Sequence, residues 1–201
     1  HASRIEQAIE ERCGVRVPIA TDDGPAGSVP ISGNLILFGN RSTHRTIEEL
    51  YNRYYTLLDL RYPGPEGFEV RTLHNPFGNG FNVIYAGASD AAGVDAATQV
   101  LVQKLQKAEA GNGELTIGWL MEIQLGKGIQ VPDDVILFTM WEASASYGSK
   151  GNFGWTSLSK RMAMYYMTGD PLHAREFLRL AFPDEQAKEE IAHIDDERIE
   201  N

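Results

Sequence analysis

The stretch Phe81–Leu105, FNVIYAGASDAAGVDAATQVLVQKL, decides the fold. It opens with an apolar run of strand length, Val83, Ile84, Tyr85 and Ala86. The small residues Gly87-Ala88-Ser89-Asp90 follow, and then Val94, Ala97, Leu101 and Leu105 recur at helical spacing. A short solid apolar run reads as a buried strand, and a 3.6-residue period as an amphipathic helix. Gly87 permits a sharp turn. Ser89 or Asp90 can cap the helix by accepting hydrogen bonds from its first free N–H groups. The unit is a buried strand feeding a helix that packs back on the sheet.

Earlier segments repeat this pattern. Residues 3–13 read as a helix with Ile5, Ile9 and Cys13 on one face, closed by Gly14. Val15, Val17 and Ile19 alternate as a half-buried strand does, and 22–30 is a loop by its Asp, Gly and Pro content. Asn34–Phe38 is a buried strand, followed by the turn Gly39–Ser42. A helix is expected over Thr43–Arg61, with Ile47, Leu50, Tyr51, Tyr54 and Leu58 on one face and Pro63-Gly64-Pro65 as its stop. Phe68–Leu73 is a strand with Phe68, Val70 and Thr72 on one side, and a hairpin joins Val70 to Tyr85. The fold class is therefore α+β: a small α/β sandwich with a mixed sheet, its helices on one face, followed by an α-helical region.

The polar run 108–114 (AEAGNGE) reads as a linker, which divides the chain into an α/β domain at 1–107 and an α-helical module at 115–201. In the module, residues 115–125 are apolar and fit strand or helix. Ser144–Trp155 reads as a loop rich in Gly, Ser and aromatics. Two helices follow. Leu158, Met162, Tyr165 and Tyr166 face one way on the first; Gly169 closes it, Asp170 caps the second, and Pro171 takes its first position. So few helices with wide apolar faces bury little surface alone. The chain is expected to be the N-terminal portion of a longer protein with a further C-terminal domain, or to form a homo-oligomer.

Composition narrows the function classes. Of 201 residues, 42% are hydrophobic and 23% charged, which is ordinary globular material. No apolar run is long enough to span a bilayer, and HASRIEQ does not read as a signal peptide. A net charge of −10 argues against a nucleic-acid partner, which requires a basic surface. One cysteine, Cys13, permits neither an intrachain disulfide nor a cysteine-rich zinc site. The five histidines show no H-E-x-x-H spacing, and G-x-S-x-G, G-x-G-x-x-G and a Walker lysine are all missing. No cofactor and no metal are expected, and the turn at Gly87–Asp90 reads as a capped turn rather than a phosphate site.

The residues best suited to bind a ligand lie between Trp141 and Arg161. Trp141, Tyr147 and Trp155 offer flat faces for the C–H faces of sugars; Glu142, Lys150, Asn152 and Arg161 offer hydrogen bonds. Mixed apolar and polar groups of this kind line ligand pockets. Glu142 could act as acid or base, but no second carboxylate is placed by spacing. The plainer alternative is that the tryptophans anchor a long loop to the helices.

At NLILFGN (34–40), in the Tyr-rich helix and at 82–105, the chain resembles the small α/β accessory domain that precedes the catalytic module in α-glucuronidases and β-N-acetylhexosaminidases. Gly87, Ser89, Asp90 and Gly93 carry that resemblance, which covers about residues 3–107. It implies a structural domain without catalytic residues. Residues 152–182 are similar to the first helical hairpins of (α/α) toroid enzymes such as polysaccharide lyases, through the Y-x-x-T-G-D-x-x-x-A run at Tyr165–Ala174. Together the resemblances imply the N-terminal portion of a secreted or periplasmic bacterial polysaccharide-degrading enzyme, lyase or glycoside hydrolase, with a polysaccharide or oligosaccharide as partner. The alternative is a non-catalytic carbohydrate-binding or protein-interaction module. A small intracellular α/β enzyme is disfavoured by the missing motifs.

Overall fold

In the computed structural model, which describes residues 1–22, 31–129 and 153–181, the run Val83–Ala88 is an inner strand of a mixed sheet. Two units are distinguished, 1–129 and 130–201. The first contains, in order, α1 (Ala2–Cys13), β1 (Leu35–Gly39), α2 (Arg45–Asn52), β2 (Phe68–Leu73), β3 (Val83–Ala88), α3 (Ala91–Lys107), β4 (Glu109–Gly111), β5 (Glu114–Thr116) and β6 (Met121–Gln124). The sheet order is β1-β3-β2-β6. β1 runs parallel to β3, with Gly39 opposite Gly87. β2 is antiparallel to β3 and to β6, with Arg71 opposite both Tyr85 and Met121. The hairpin expected between Val70 and Tyr85 is thus present.

Alternation along the strands sorts their side chains onto two faces. Ile36, Phe38, Phe68, Val70, Ile84, Ala86 and Ala88 pack with Ile5, Ala8 and Ile9 of α1 and with Ala97, Leu101 and Leu105 of α3. Leu35, Leu37, Leu73, Val83 and Tyr85 pack instead with Ile47 and Leu50 of α2 and with Leu58. Helices therefore cover both faces, not one. A strand that is apolar at both odd and even positions, as Val83–Ala86 is, needs cover on both sides.

Three further expectations are corrected. The helix expected to reach Arg61 stops at Asn52. The amide of Tyr54 donates to the Tyr51 carbonyl at 3.0 Å and that of Tyr55 to the Leu50 carbonyl at 2.9 Å, a helix-ending pair of bonds. Val15–Ile19 is not a strand, and Val15 and Ile19 are exposed. The run 108–114 is not a linker. Asn112 and Gly113, with φ of 55° and 78°, form the two-residue turn of the β4–β5 hairpin, and β6 then supplies the fourth strand. The first unit consequently extends to Ile129 rather than ending at 107.

In the second unit, α4 (Phe153–Thr168) and α5 (Pro171–Ala181) form the expected helical hairpin. The Gly169 amide, at φ 69°, donates to the Tyr165 carbonyl at 2.8 Å, and the Asp170 carboxylate accepts from the Leu172 amide at 2.9 Å. α4 starts two residues earlier than the expected loop end, so Phe153–Trp155 are helical. On α4 it is Met164 that is buried, while Met162 is exposed.

Candidate functional site

β1 and β3 are parallel neighbours whose following helices diverge. After Gly39 the chain passes to α2 on one face of the sheet; after Ala88 it passes to α3 on the other. Divergence of this kind opens a crevice at the carboxyl ends of the strands, where α/β sheets usually bind ligands. Here the crevice is filled by the chain itself. A Cβ on Gly87 would overlap a methyl of Leu58, which is completely buried. The Arg41 amide donates to the Leu58 carbonyl at 3.1 Å and fixes the plug to the turn after β1. The buried Asn40 side chain bridges the two turns: its Nδ2 donates to the Ala88 carbonyl at 2.9 Å, and its Oδ1 accepts from the Ser42 amide at 2.9 Å. Both of its polar atoms are thereby satisfied, as a buried amide requires.

The helix N-termini at the crevice are also occupied. Asp90 caps α3, accepting from the Gly93 amide at 2.8 Å and from the Glu66 amide at 3.0 Å. These bonds hold its carboxyl below the usual aspartate range. Of the two cap candidates, Asp90 takes the role. Ser89 instead accepts from the Gly64 amide at 2.9 Å and ties down the loop ahead of β2. At α2 the Thr46 amide donates to Asp22 Oδ2 at 3.1 Å, and His44 Nδ1 lies 2.9 Å from the same oxygen. Burial pushes the His44 pKa down, and Asp22 partly opposes that shift. A carboxylate at each N-terminus already satisfies the dipole and would repel an incoming anion. Gly87–Asp90 is a capped turn, not a phosphate cradle.

Beneath the plug lies a charged cluster. Glu69, the register partner of Gly87, is 1% exposed, and Arg71 is 2% exposed. Arg71 Nε lies 2.8 Å from Glu69 Oε1, and the Tyr85 hydroxyl donates to that oxygen at 2.7 Å. The Arg71–Glu69 contact is an ion pair rather than an aligned hydrogen bond, and Glu69 Oε2 has no hydrogen-bond partner among the described residues. Burial drives the Glu69 carboxyl upward; Arg71 and Tyr85 draw it back only in part. The pattern Phe68-Glu69-Val70-Arg71-Thr72 suggests a strand with one wet face, so this cluster escapes a reading of the sequence. The available signal is the pair of opposite charges two apart, which a strand places on one face.

Of the residues singled out between Trp141 and Arg161, Trp141, Glu142, Tyr147, Lys150 and Asn152 lie outside the described residues. Trp155 falls in the first turn of α4 and Arg161 six residues on. Arg161 Nη1 lies 3.2 Å from His173 Nδ1 on α5. Among the described residues no group of three or more His, Cys, Asp and Glu is placed to hold a metal ion. No helix among them is long and apolar enough to cross a membrane. No protein-family model, curated protein or solved structure matches the chain.

Proposed function

We propose that the chain acts in polysaccharide degradation, as the N-terminal portion of a secreted or periplasmic bacterial lyase or glycoside hydrolase. In this reading the 1–129 unit is a structural or substrate-positioning accessory domain. The α4–α5 hairpin is the opening of an (α/α) toroid, and the Trp141–Arg161 region meets the saccharide. The observation that carries the accessory role is the filled crevice. The position where an α/β sheet would bind a small ligand holds Leu58, and the adjoining helix ends hold the chain's own carboxylates. A unit built this way supports a neighbour better than it performs chemistry. The resemblances at 34–40, 82–105 and 152–182 supply the carbohydrate context.

The test is affinity electrophoresis through gels containing acidic or neutral polysaccharide, paired with an assay for new reducing ends. Retardation in at least one gel without release of reducing ends is expected. Free migration in every gel would remove the carbohydrate reading. Release of reducing ends by this chain alone would overturn the accessory role.

A further inference from the structure

The tripeptide Gly-Asn-Gly occurs twice, at 78–80 and at 111–113. An asparagine followed by glycine is a reactive pair. The amide nitrogen of the second residue can attack the side-chain amide carbon of the first, and glycine, without a Cβ, leaves that approach open. Both copies are exposed, so access to water does not distinguish them. Hydrogen bonding does. At Asn79 both reacting groups are held: the Gly80 amide donates to Asn75 Oδ1 at 2.7 Å, and Asn79 Oδ1 accepts from the Phe81 amide at 3.1 Å. The loop is tied back further, with the Asn75 amide donating to Asn82 Oδ1 at 3.1 Å and the Asn82 amide to Asn34 Oδ1 at 2.8 Å. For the Gly80 nitrogen to attack, it must give up the proton it shares with Asn75 and turn away.

At Asn112 neither group is held. Among the described residues, Asn112 and Gly113 make no hydrogen bond. Asn112 stands at φ 55°, a left-handed conformation that asparagine tolerates. The turn closes a two-stranded sheet of three residue pairs, separate from the main sheet. All of β4 is exposed, and in β5 only Leu115 is half-buried. A hairpin with so little buried surface opens at its tip at small cost. The Asn112 side chain can therefore swing onto the Gly113 nitrogen without disturbing the core.

We propose that Asn112 is a site of spontaneous deamidation and chain isomerisation, with the Gly113 nitrogen as nucleophile and water as the only co-reactant. The Gly113 nitrogen loses its proton to solvent base and bonds to Asn112 Cγ. The Cγ–Nδ2 bond breaks, and the side-chain nitrogen takes up a proton and leaves as ammonia. Water then opens the five-membered imide at either carbonyl. Opening at Cγ leaves aspartate. Opening at the main-chain carbonyl carbon leaves isoaspartate, in which the chain runs through Cβ and Cγ. The sum is asparagine and water giving the acid and ammonia, with nothing oxidised or reduced. Either product places a new carboxylate two residues before Glu114, itself acidic, along the turn's edge. Isoaspartate also lengthens the backbone of a turn that spans two residues, so Gly111 and Glu114 lose their register.

The experiment incubates the whole chain at neutral and at mildly alkaline pH. Mass spectrometry then follows the peptides that carry Asn79 and Asn112, with the aspartate and isoaspartate forms separated. Asn112 should convert roughly tenfold faster than Asn79, where two hydrogen bonds must first be broken. The conversion should quicken as pH rises, because the Gly113 nitrogen reacts only after losing its proton. In urea the two rates should converge. Asn75→Gly keeps the 44° φ of that position accessible and removes the acceptor of the Gly80 amide. It should speed conversion at Asn79 and leave Asn112 unchanged. Equal rates in the folded chain, or a faster Asn79, would overturn the proposal. So would an Asn112 that stays intact in the folded chain while the urea-unfolded chain converts. A preference for Asn112 that persists undiminished in urea would assign it to the flanking sequence and overturn the role given to the fold.

Discussion

Replacing Glu69 by leucine should destabilise the 1–129 unit by about 3–5 kcal/mol, the usual penalty for leaving one member of a buried ion pair behind. Arg71 would then lose its carboxylate partner at 2.8 Å and the Tyr85 hydroxyl its acceptor. The double replacement Glu69→Leu with Arg71→Met should recover most of the loss and could exceed the parent. The upward shift of the Glu69 carboxyl supplies the reason: its desolvation outweighs what Arg71 and Tyr85 return. A group whose folded pKa is raised gives its full stabilisation below its unfolded value and loses it as pH rises through the folded one. The parent should therefore carry a component of stability that declines with rising pH, and the double variant should lack it. Urea unfolding of the parent and three variants across pH gives the coupling directly. A double variant as unstable as the worse single would show that the pair is a net contributor, contrary to this expectation.

Gly93→Ala should also destabilise the unit, by up to about 2 kcal/mol net. Helix propensity alone predicts the opposite, since alanine is favoured over glycine by about 1 kcal/mol in a helix interior. Packing decides the sign. A Cβ at Gly93 would overlap the Gly67 carbonyl oxygen and lie 2.6 Å from the Ala88 Cβ. A backbone carbonyl cannot swing aside as a side chain can, so the first turn of α3 must lift off the sheet. Overpacking of this kind costs about 1–3 kcal/mol and occasionally more. The same lift would strain the Asp90 cap, which holds both the Gly93 and the Glu66 amides. Thermal unfolding of Gly93→Ala beside the exposed control Ala92→Gly checks this. A higher melting temperature for Gly93→Ala would mean that α3 does not approach the 64–67 loop so closely.

Much of the first unit is legible in the sequence because its signals are local. The solid apolar run at Val83–Ala86 and the 3.6-residue stripe through Ala97 and Leu101 describe a strand and a helix, and both stripe residues are fully buried. Gly169-Asp170-Pro171 likewise marks the α4–α5 turn. The misread segments share a different cause. Leu58 continues the apolar period of α2, so the helix looks longer than it is; its burial is real, but it reaches the core from a loop. Periodicity reports which residues are buried, not which backbone carries them. Asn112-Gly113 is a strong two-residue hairpin signal, hidden by short polar strands whose residues are almost all exposed. The Val15–Ile19 alternation joins neither sheet among the described residues. Glu69 and Arg71 were hidden because a strand's own sequence cannot tell whether its second face will be covered. That depends on where α2 and Leu58 come to lie.

The filled crevice is tested most directly by titrating the whole chain with inorganic phosphate and with a nucleoside diphosphate while following the amides of Ser42, Thr46, Ser89 and Gly93. Leu58 occupies the space against Gly87, and Asp22 and Asp90 already accept from the amides an anion would use. None of these four amides should shift beyond the change produced by matched ionic strength. Saturable shifts at Thr46 and Gly93 would mean that the crevice opens to ligands, and the 1–129 unit could then no longer be read as a closed scaffold.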